Sequence, residues 1–247
     1  MTKPINHTVR EMKPSGIRKF FDLASTMEGV ISLGVGEPDF ATPWHICESA
    51  IDSMIDGNTH YTANRGLIQL REEIARFHEE RYGQIYDPEK EIIVTVGGSE
   101  GVDLTMRTLV DPGDEVIVLD PNYVAYAPAI ELAGGTAVPI RITKEHEFKL
   151  LPEDLAAAIT DRTKAIILNF PSNPTGGVMT AEDYAKLVPI LKESGIYVIS
   201  DEIYAELLFD GEFASLAQFP EIRDQVIVIN GFSKAFAMTG WRLGYLL

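Results

Sequence analysis

The sequence contains a single cysteine, Cys47, so the chain can form no internal disulfide and offers no CxxC pair for a metal. The 5 histidines are scattered, and none has the HxxxH spacing of a helical metal site. No apolar run approaches the length of a membrane span, and residues 1–7 carry no apolar segment of a signal peptide. We therefore expect a cytoplasmic protein without a metal centre and without contact to a membrane.

Basic residues are also scarce, since 21 lysines and arginines face 37 aspartates and glutamates and leave a formal net charge of −16. A balance this acidic argues against general binding to nucleic acids and to anionic membrane surfaces. A small phosphate ligand is still compatible with it, because one arginine can act locally. The hydrophobic share of 45% over 247 residues is sufficient for a sizeable core, in one large α/β domain or two smaller ones.

Strand-forming and helix-forming segments alternate from residue 91 onward. Strands are predicted at 92–96, 115–119, 137–142, 164–170, 195–200 and 226–229. Strands that are apolar throughout and are separated by helices indicate a mostly parallel sheet with helices on both faces. The sequence therefore predicts an α/β fold.

Shorter patterns predict where individual helices lie. Apolar residues at helical spacing predict a short helix over residues 17–24, and Thr42 before a proline is typical of an N-cap. Thr180 and Asp183 form a capping-box pattern. Pro189 lies inside the helix that they open and predicts a kink or an early break there.

Polar groups of different kinds follow the ends of several predicted strands. Asn173, Asp201 and Lys234 lie 28 and 33 residues apart, and each interval matches one strand–helix–strand unit of roughly 30 residues. In a right-handed parallel sheet such units return the carboxyl ends of their strands to one edge, where α/β proteins bind ligands. Residues 98–100, Gly-Ser-Glu, open a further helix at a strand end. We expect these four positions to lie close together.

The chemistry of these positions fits a phosphorylated aldehyde. The amine of Lys234 can form a Schiff base with an aldehyde, and Arg242, eight residues later, can hold a phosphate. The N–H groups of residues 98–100 also suit a phosphate dianion. Pyridoxal 5′-phosphate needs both kinds of group. Taken singly, Lys234 would be an ordinary surface lysine and residues 98–100 would be a glycine-rich turn.

Three further side chains fit the ring of such a cofactor. Asp201 ends an apolar strand, where a carboxylate is costly without a partner, and a protonated pyridine nitrogen is such a partner. Tyr204 can donate to the phenolate oxygen, and Tyr123 can stack on the ring. The alternatives are a helix cap for Asp201, core packing for Tyr204 and a rim aromatic for Tyr123. Asn173 is explained equally well by turn chemistry.

Five ordered motifs resemble those of the class I/II pyridoxal-phosphate-dependent aminotransferases, which have the type I fold. They are the stretch 34–40, Gly-Val-Gly-Glu-Pro-Asp-Phe, the stretch 111–114, Asp-Pro-Gly-Asp, the stretch 173–176, Asn-Pro-Thr-Gly, the stretch 201–204, Asp-Glu-Ile-Tyr, and the lysine signature at 233–244. The resemblance covers the chain from about residue 15 and concerns the N-terminal and cofactor-binding portion of the family.

The resemblance implies a role for each matched residue. Lys234 would bind the cofactor and later move the substrate's proton, and Asp201 would pair with the pyridine nitrogen. Tyr204 and Asn173 would hydrogen-bond the phenolate oxygen, and Tyr123 would stack on the ring. The phosphate would be bound by Gly98, Ser99, Glu100 and Arg242.

The resemblance also implies contacts to the substrate and to a second subunit. Gly36 would lie near the substrate carboxylate, Asn173 would also bind the substrate, and Tyr61 would reach the phosphate of the neighbouring subunit in a homodimer. Two positions depart from the family, and at one of them, Tyr123, many members have a tryptophan. Many members have a serine phosphate ligand where Gly231 stands, three residues before the lysine, so Ser233 is the candidate replacement.

The resemblance divides the chain into an N-terminal arm with a small-domain segment at residues 1–40 and a large cofactor-binding domain at residues 41–247. Family members continue into a C-terminal small domain that supplies an arginine for the substrate carboxylate. That arginine is missing here, and Arg18 or Arg65 would have to replace it. The chain also stops in an apolar stretch, residues 245–247, that predicts the start of a strand. A domain ending there would leave unpaired backbone and exposed apolar surface, so we expect a fragment of a longer protein.

The activity implied by the resemblance is transfer of an amino group from an amino acid to a 2-oxo acid. A C–S β-lyase of the same fold is the first alternative, and the residues barely separate the two activities. A non-catalytic regulatory domain that binds the cofactor is the second alternative. Such regulators carry a DNA-binding segment, and the arm of about 15 residues before the first predicted helix is too short for one. The amino donor is not predicted.

Overall fold

The computed structural model describes residues 2–12, 14, 16, 20, 23–24, 26–31, 34 and 36–247. The helix predicted over residues 17–24 lies largely outside the described residues. Within the described part, no helix is long and apolar enough to cross a membrane.

Strands and helices alternate through the second part of the chain, as the sequence predicts. The α-helices of the described residues are α1 (His7–Glu11), α2 (Trp44–Ile55), α3 (Ile68–Tyr82), α4 (Gly97–Leu109), α5 (Tyr126–Ala133), α6 (Pro152–Ala158) and α7 (Ala181–Ser194). The strands are β1 (Ile93–Thr95), β2 (Glu115–Asp120), β3 (Thr136–Arg141), β4 (Thr163–Asn169), β5 (Tyr197–Asp201), β6 (Val226–Gly231) and β7 (Gly244–Leu246). Short 3-10 turns lie at Lys144–His146, Leu216–Gln218, Pro220–Gln225 and Thr239–Trp241.

The strands form one sheet in the order β1-β7-β6-β5-β4-β2-β3. The pairs β2–β3, β2–β4, β4–β5 and β5–β6 are parallel, which confirms the mostly parallel sheet. One core unites β4 with α6 and α7 around Leu155 and Leu187, and a second unites β2 with α4 and α5 around Met106 and Ile130. Covering both faces explains why the central strands are apolar throughout.

The carboxyl ends of the parallel strands share one edge of the sheet. β1 also ends at this edge, because β1 and β6 both run antiparallel to β7. The register places Asn169, the last residue of β4, opposite Asp201, the last residue of β5. Loops that follow these strands therefore meet in one place.

β7 lies inside the sheet and pairs with β1 on one side and β6 on the other. Tyr245 and Leu246 are 4% and 7% exposed. The predicted strand is therefore present, but the expectation of unpaired backbone and exposed apolar surface there is wrong. The neighbouring strands satisfy its backbone groups, and α3 and α4 cover its side chains.

The helix α7 begins with the predicted capping box. The Thr180 hydroxyl accepts from the Asp183 N–H, and the Asp183 carboxylate accepts from the Thr180 N–H. The expected early break at Pro189 is wrong, because the helix continues to Ser194. Burial of the helix side chains around Leu187 against the sheet stabilises the helix across a proline that removes one hydrogen bond.

His78 connects α3 to β7 in the interior. Its Nδ1 lies 3.2 Å from Gln84 Oε1, and its Nε2 lies 2.9 Å from the Tyr245 hydroxyl. Because Gln84 Oε1 can only accept, Nδ1 carries the proton and Nε2 accepts from Tyr245. Burial lowers the pKa of His78 to about 4, from an ordinary value of 6.5.

We expect His78 to make the fold sensitive to acid. A depressed folded-state pKa means that the unfolded chain binds the proton first, so stability is full above about pH 6.5 and is lost as the pH falls toward about 4. The shift corresponds to ~3 kcal/mol across that window. Denaturant unfolding of the parent and of His78→Gln, near pH 7 and near pH 5, measures the difference.

The comparison between variants isolates His78, because carboxyl groups that titrate in this window contribute to both proteins. His45→Gln on the exposed face of α2 is the control and should keep the parental pH dependence. An equal pH dependence in the parent and in His78→Gln would contradict the prediction.

Candidate active site

A cavity of about 760 Å³ opens at the carboxyl edge of the sheet. It is lined by ten of the predicted residues, namely Gly36, Gly98, Ser99, Tyr123, Asn173, Asp201, Tyr204, Ser233, Lys234 and Arg242. Glu100 and Tyr61 do not line it. Among the described residues, no cluster of His, Cys, Asp or Glu side chains could hold a metal ion.

Lys234 follows β6 in a turn, and its side chain is half-buried in the cavity. Nζ donates to the carbonyl oxygen of Gly36 and lies 5.8 Å from the centre of the Tyr204 ring. Burial lowers the pKa of the Lys234 amine, Glu37 opposes this shift, and Arg242 adds to it. The amine therefore gives up its proton more readily than a surface lysine does.

The guanidinium of Arg242 lies over the start of α4. An added Cβ at Gly97 would come within 2.7 Å of Arg242 Nη2, and Gly97 itself has φ +74°, a conformation that favours glycine. Arg242 Nη1 donates to Thr239 O at 2.9 Å. No side chain in the described part of the chain caps the start of the helix, so its N–H groups and the guanidinium can bind an anion together.

Glu100 and Ser233 differ in their position relative to the cavity. The Glu100 carboxylate turns back to accept from the Val96 N–H, so only the Glu100 backbone N–H could make the expected phosphate contact. Ser233 lines the cavity and is 8% exposed. A Cβ at Gly231 would lie 3.0 Å from both Gly244 Cα and Leu243 O, so β7 leaves little room for a serine at position 231.

Asp201 is buried at the end of β5. Its Oδ2 accepts from the Tyr126 hydroxyl at 2.6 Å, and its Oδ1 accepts from the Ile203 N–H at 3.2 Å. Burial raises the pKa of the Asp201 carboxyl, and these two hydrogen bonds only partly oppose the shift. Within the described residues Asp201 forms no ion pair, so its carboxylate lacks a cation.

An amide chain connects Asp201 to Tyr204. Asn169 Nδ2 donates to Asp201 O at 2.9 Å, and Asn169 Oδ1 accepts from the Asn173 N–H at 2.8 Å. Asn173 Nδ2 then lies 3.4 Å from the Tyr204 hydroxyl. These contacts fix two hydrogen-bonding side chains, Asn173 and Tyr204, beside the half-buried amine of Lys234.

Tyr123 and Tyr126 lie on the same side of the cavity, with ring centres 5.5 Å apart at an angle of 81°. Sequence reasoning identified Tyr123 but missed Tyr126 and Asn169. Asn169 could have been found, because it is a polar residue at the end of an apolar strand in register with Asp201. Tyr126 gave no such signal, since only the packing of α5 brings its hydroxyl to Asp201.

The segment 36–42 is attached to the loop that carries Lys234. The Thr42 hydroxyl donates to Ala237 O at 2.6 Å and accepts from the Trp241 indole at 3.0 Å, and Thr239 donates to Glu37. The N-cap predicted for Thr42 is wrong, because α2 begins at Trp44 without a side-chain cap. The hydroxyl of Thr42 serves this attachment instead.

The remaining predicted side chains lie away from the cavity. Tyr61 is fully exposed. Arg65 lines a separate surface cavity with Arg71, and its Nη1 donates to Glu89 O. Arg18 lies outside the described residues.

The chain is similar to known proteins over almost its whole length. The family model described as aminotransferase class I and II matches residues 28–247. YugH of Bacillus subtilis is 51% identical over 245 residues, which are 99% of this chain and 64% of the relative. The aromatic-amino-acid aminotransferase 2 of Thermococcus litoralis is 42% identical over 236 residues, which are 95% of this chain and 61% of the relative.

Solved structures agree. Aspartate aminotransferase from Thermus thermophilus with maleate superposes with a TM-score of 0.93 at 39% identity, over 99% of this chain and 64% of that chain. The chain thus spans 61–64% of the length of these relatives.

The contact between β7 and α4 generates a prediction. An added Cβ at Gly244 would lie 2.6 Å from the carbonyl carbon of Gly97 and 2.7 Å from the Gly98 N. Gly244→Ala should therefore push β7 from the start of α4 and lower the free energy of unfolding by ~1–3 kcal/mol. Gly240→Ala is the matched control, since its Cβ would meet nothing within 4 Å. Equal denaturant midpoints for the two variants would contradict this view of the contact.

Proposed function

The chain belongs to the aminotransferase class I and II family, and from that premise we propose that the protein carrying it transfers an amino group from an amino acid to a 2-oxo acid with pyridoxal 5′-phosphate. One observation carries the proposal. A half-buried amine, a buried carboxyl that has no cation among the described residues, and a helix start beneath a guanidinium all line one cavity.

The residues present fit this cofactor at three separate places. Lys234 suits the aldehyde, Asp201 suits a protonated pyridine nitrogen, and Arg242 with the start of α4 suits the phosphate. When bound, the cofactor supplies an electron sink that stabilises negative charge on the substrate carbon. The protein supplies binding, orientation and proton transfer.

Lys234 is the catalytic residue of the proposal. Burial lowers the pKa of the Lys234 amine, so the amine gives up its proton more readily, and an unprotonated Nζ is the form that attacks an aldehyde. Once released by the substrate, the same Nζ could take the proton from the substrate carbon and return it to the carbon of the cofactor. The hydrogen bond from Nζ to Gly36 O supports the view that the released amine has a defined position in the cavity.

The other side chains orient the ring and the phosphate. Asp201, held by Tyr126 and supported by Asn169, would keep the ring nitrogen protonated. Tyr204 and Asn173 would donate to the phenolate oxygen, and Tyr123 would stack on the ring. The phosphate would be bound by the N–H groups of Gly98, Ser99 and Glu100 with Ser233 and Arg242. Gly36 would lie near the substrate carboxylate, and Asn173 would also bind the substrate.

The proposed assembly is a cytoplasmic homodimer whose large domain is residues 41–247 and whose N-terminal segment is residues 1–40. The exposure of Tyr61 supports a second copy, because the side chain extends away from its own cavity. The apolar side chains Trp44 and Ile55 of α2 are 68% and 77% exposed and suit an interface.

The activity is tested on the protein that carries this chain, loaded with pyridoxal phosphate and offered a panel of amino acids with a 2-oxo acid. The proposal expects a new amino acid and a new 2-oxo acid in equal amounts. Pyruvate, ammonia and a free thiol from cystathionine would indicate a β-lyase instead. Cofactor binding without any product would indicate a regulatory domain.

Lys234→Ala should abolish covalent attachment of the cofactor. Borohydride treatment of the parent with pyridoxal phosphate, followed by peptide mapping, should place the cofactor on Lys234 alone among the ten lysines. Lys192→Ala, at an exposed position of α7, is the control and should label like the parent. Labelling of another lysine in the parent would show that the assignment is wrong.

Tyr126→Phe should weaken cofactor binding, because Asp201 loses its hydroxyl donor and binds the ring nitrogen less well. A hydrogen bond to a charged group contributes about 1.5–3 kcal/mol, so the dissociation constant should rise roughly ten- to hundredfold. Absorbance titration with pyridoxal phosphate measures it. Tyr197→Phe, at the opposite end of β5, should leave the affinity unchanged; an equal loss in both variants would argue against a direct role for Tyr126.

A further inference from the structure

Glu202 is a second buried carboxyl, and it follows Asp201 directly in the chain. It is 1% exposed and does not line the cavity. Its Oε1 accepts from the hydroxyls of Ser200 at 2.8 Å and Ser215 at 2.5 Å. Its Oε2 is buried and has no hydrogen-bond partner among the residues that the structure describes. A buried oxygen of this kind calls for a physical explanation.

The surroundings of Glu202 disfavour a negative charge. The titratable groups that interact with it are Asp201 on β5, Tyr82 on α3, Tyr184 on α7, Tyr245 on β7, and Tyr86 after α3. None of these is a cation, and no ion pair to Glu202 occurs among the described residues. A carboxylate there would be desolvated and unpaired, whereas a neutral acid would not.

The hydrogen bond between Glu202 and Ser215 closes the segment 203–215. This segment contributes Ile203, Tyr204 and two apolar side chains at the cavity mouth. The Ser215 hydroxyl also accepts from the Ala217 N–H, so it fixes the 3-10 turn that follows. Both ends of the segment therefore depend on one carboxyl group.

We propose that Glu202 is a positioning residue that acts as a neutral carboxylic acid, holding the segment 203–215 and with it Tyr204 against the cavity. Loss of its proton places an unpaired negative charge in the interior next to Asp201 and releases the segment. The consequence for catalysis rests on the proposed function. The protonation of Glu202 and its effect on the segment 203–215 do not depend on it.

The direction of the pH effect follows from the burial of the group. Burial raises the pKa of Glu202 to about 7, from an ordinary 4.5, and Asp201 adds to the shift while the two serine hydroxyls oppose it. A raised folded-state pKa means that the closed segment is favoured at low pH. Opening should increase as the pH rises from about 4.5 to about 7 and should then level off, at most tenfold per pH unit.

Hydrogen exchange of the backbone amides in residues 203–215 of the 247-residue chain measures this opening. After correction for the intrinsic exchange rate, the parent should open roughly ten- to a hundredfold more at pH near 7.5 than at pH near 5.5. Glu202→Gln mimics the neutral acid and should open to the same extent at both. A parental segment without this dependence, or a variant that retains it, would overturn the proposal.

Glu206→Gln is the matched control on the same segment. Glu206 pairs with Arg81 at 3.0 Å, and its pKa is lowered despite the opposing effect of burial, by the hydrogen bonds from Arg81 and Tyr82. Removing this carboxylate should increase opening at every pH but leave the parental slope intact. Loss of the slope in this variant too would mean that any loosening of the segment removes it, and would contradict a specific role for Glu202.

Infrared difference spectra between the parent and Glu202→Gln give a second reading, and the difference removes the contribution of Asp201, whose pKa is also raised. The carbonyl stretch of an additional buried carboxylic acid should be present in the parent near pH 5.5 and should disappear above pH 8 as Glu202 ionises. Absence of that band would overturn the proposal. Neither readout uses the cofactor, so a negative result in either one contradicts the role of Glu202 but not the proposed amino transfer. Conversely, a pH-dependent segment in a chain that binds no pyridoxal phosphate would contradict the proposed function alone.

Discussion

The carboxyl of Asp201 at the end of β5 is the constraint on which the site depends. It is 7% exposed, and in the described chain it receives only a tyrosine hydroxyl and a backbone N–H. Neutral donors do not replace the solvation of a charge in the interior, so the carboxyl either holds a proton or requires a cation. The protein therefore leaves an electrostatic demand that a protonated ring nitrogen would meet.

The other charges are arranged around this demand. Lys234 and Arg242 line the same cavity, although the chain as a whole carries a formal net charge of −16. Burial lowers the pKa of the Lys234 amine and Arg242 adds to this shift, which favours the form that reacts with an aldehyde. Glu202 lies next to Asp201 but outside the cavity, and in the described part of the chain no cation pairs with it, which favours a neutral acid. Asp201 therefore faces the ligand, whereas a neutral Glu202 adds no charge to the electrostatic potential of the site.

Strand ends were predictable because apolar runs mark buried strands, and polar residues just beyond them must meet at one edge. Asn173, Asp201 and Lys234 were found in this way, and the structure places all three on one cavity. Tyr126 was not found, because its contact with Asp201 depends on how α5 packs across the sheet. The roles of Thr42 and β7 were also missed, since both follow from contacts between residues about 150 or more positions apart. The resemblance to a family supplied Gly36 and Tyr61, which no local pattern indicated.

The central claim is that Asp201 binds a cation supplied by the cofactor, and nitrogen NMR of the bound cofactor tests it most directly. Pyridoxal phosphate carrying nitrogen-15 in its ring would be bound to the chain, and its chemical shift would be read near neutral pH. The account predicts a protonated ring nitrogen in the parent and an unprotonated one in Asp201→Asn. An unprotonated nitrogen in the parent, or a protonated one that is indifferent to Asp201, would contradict it.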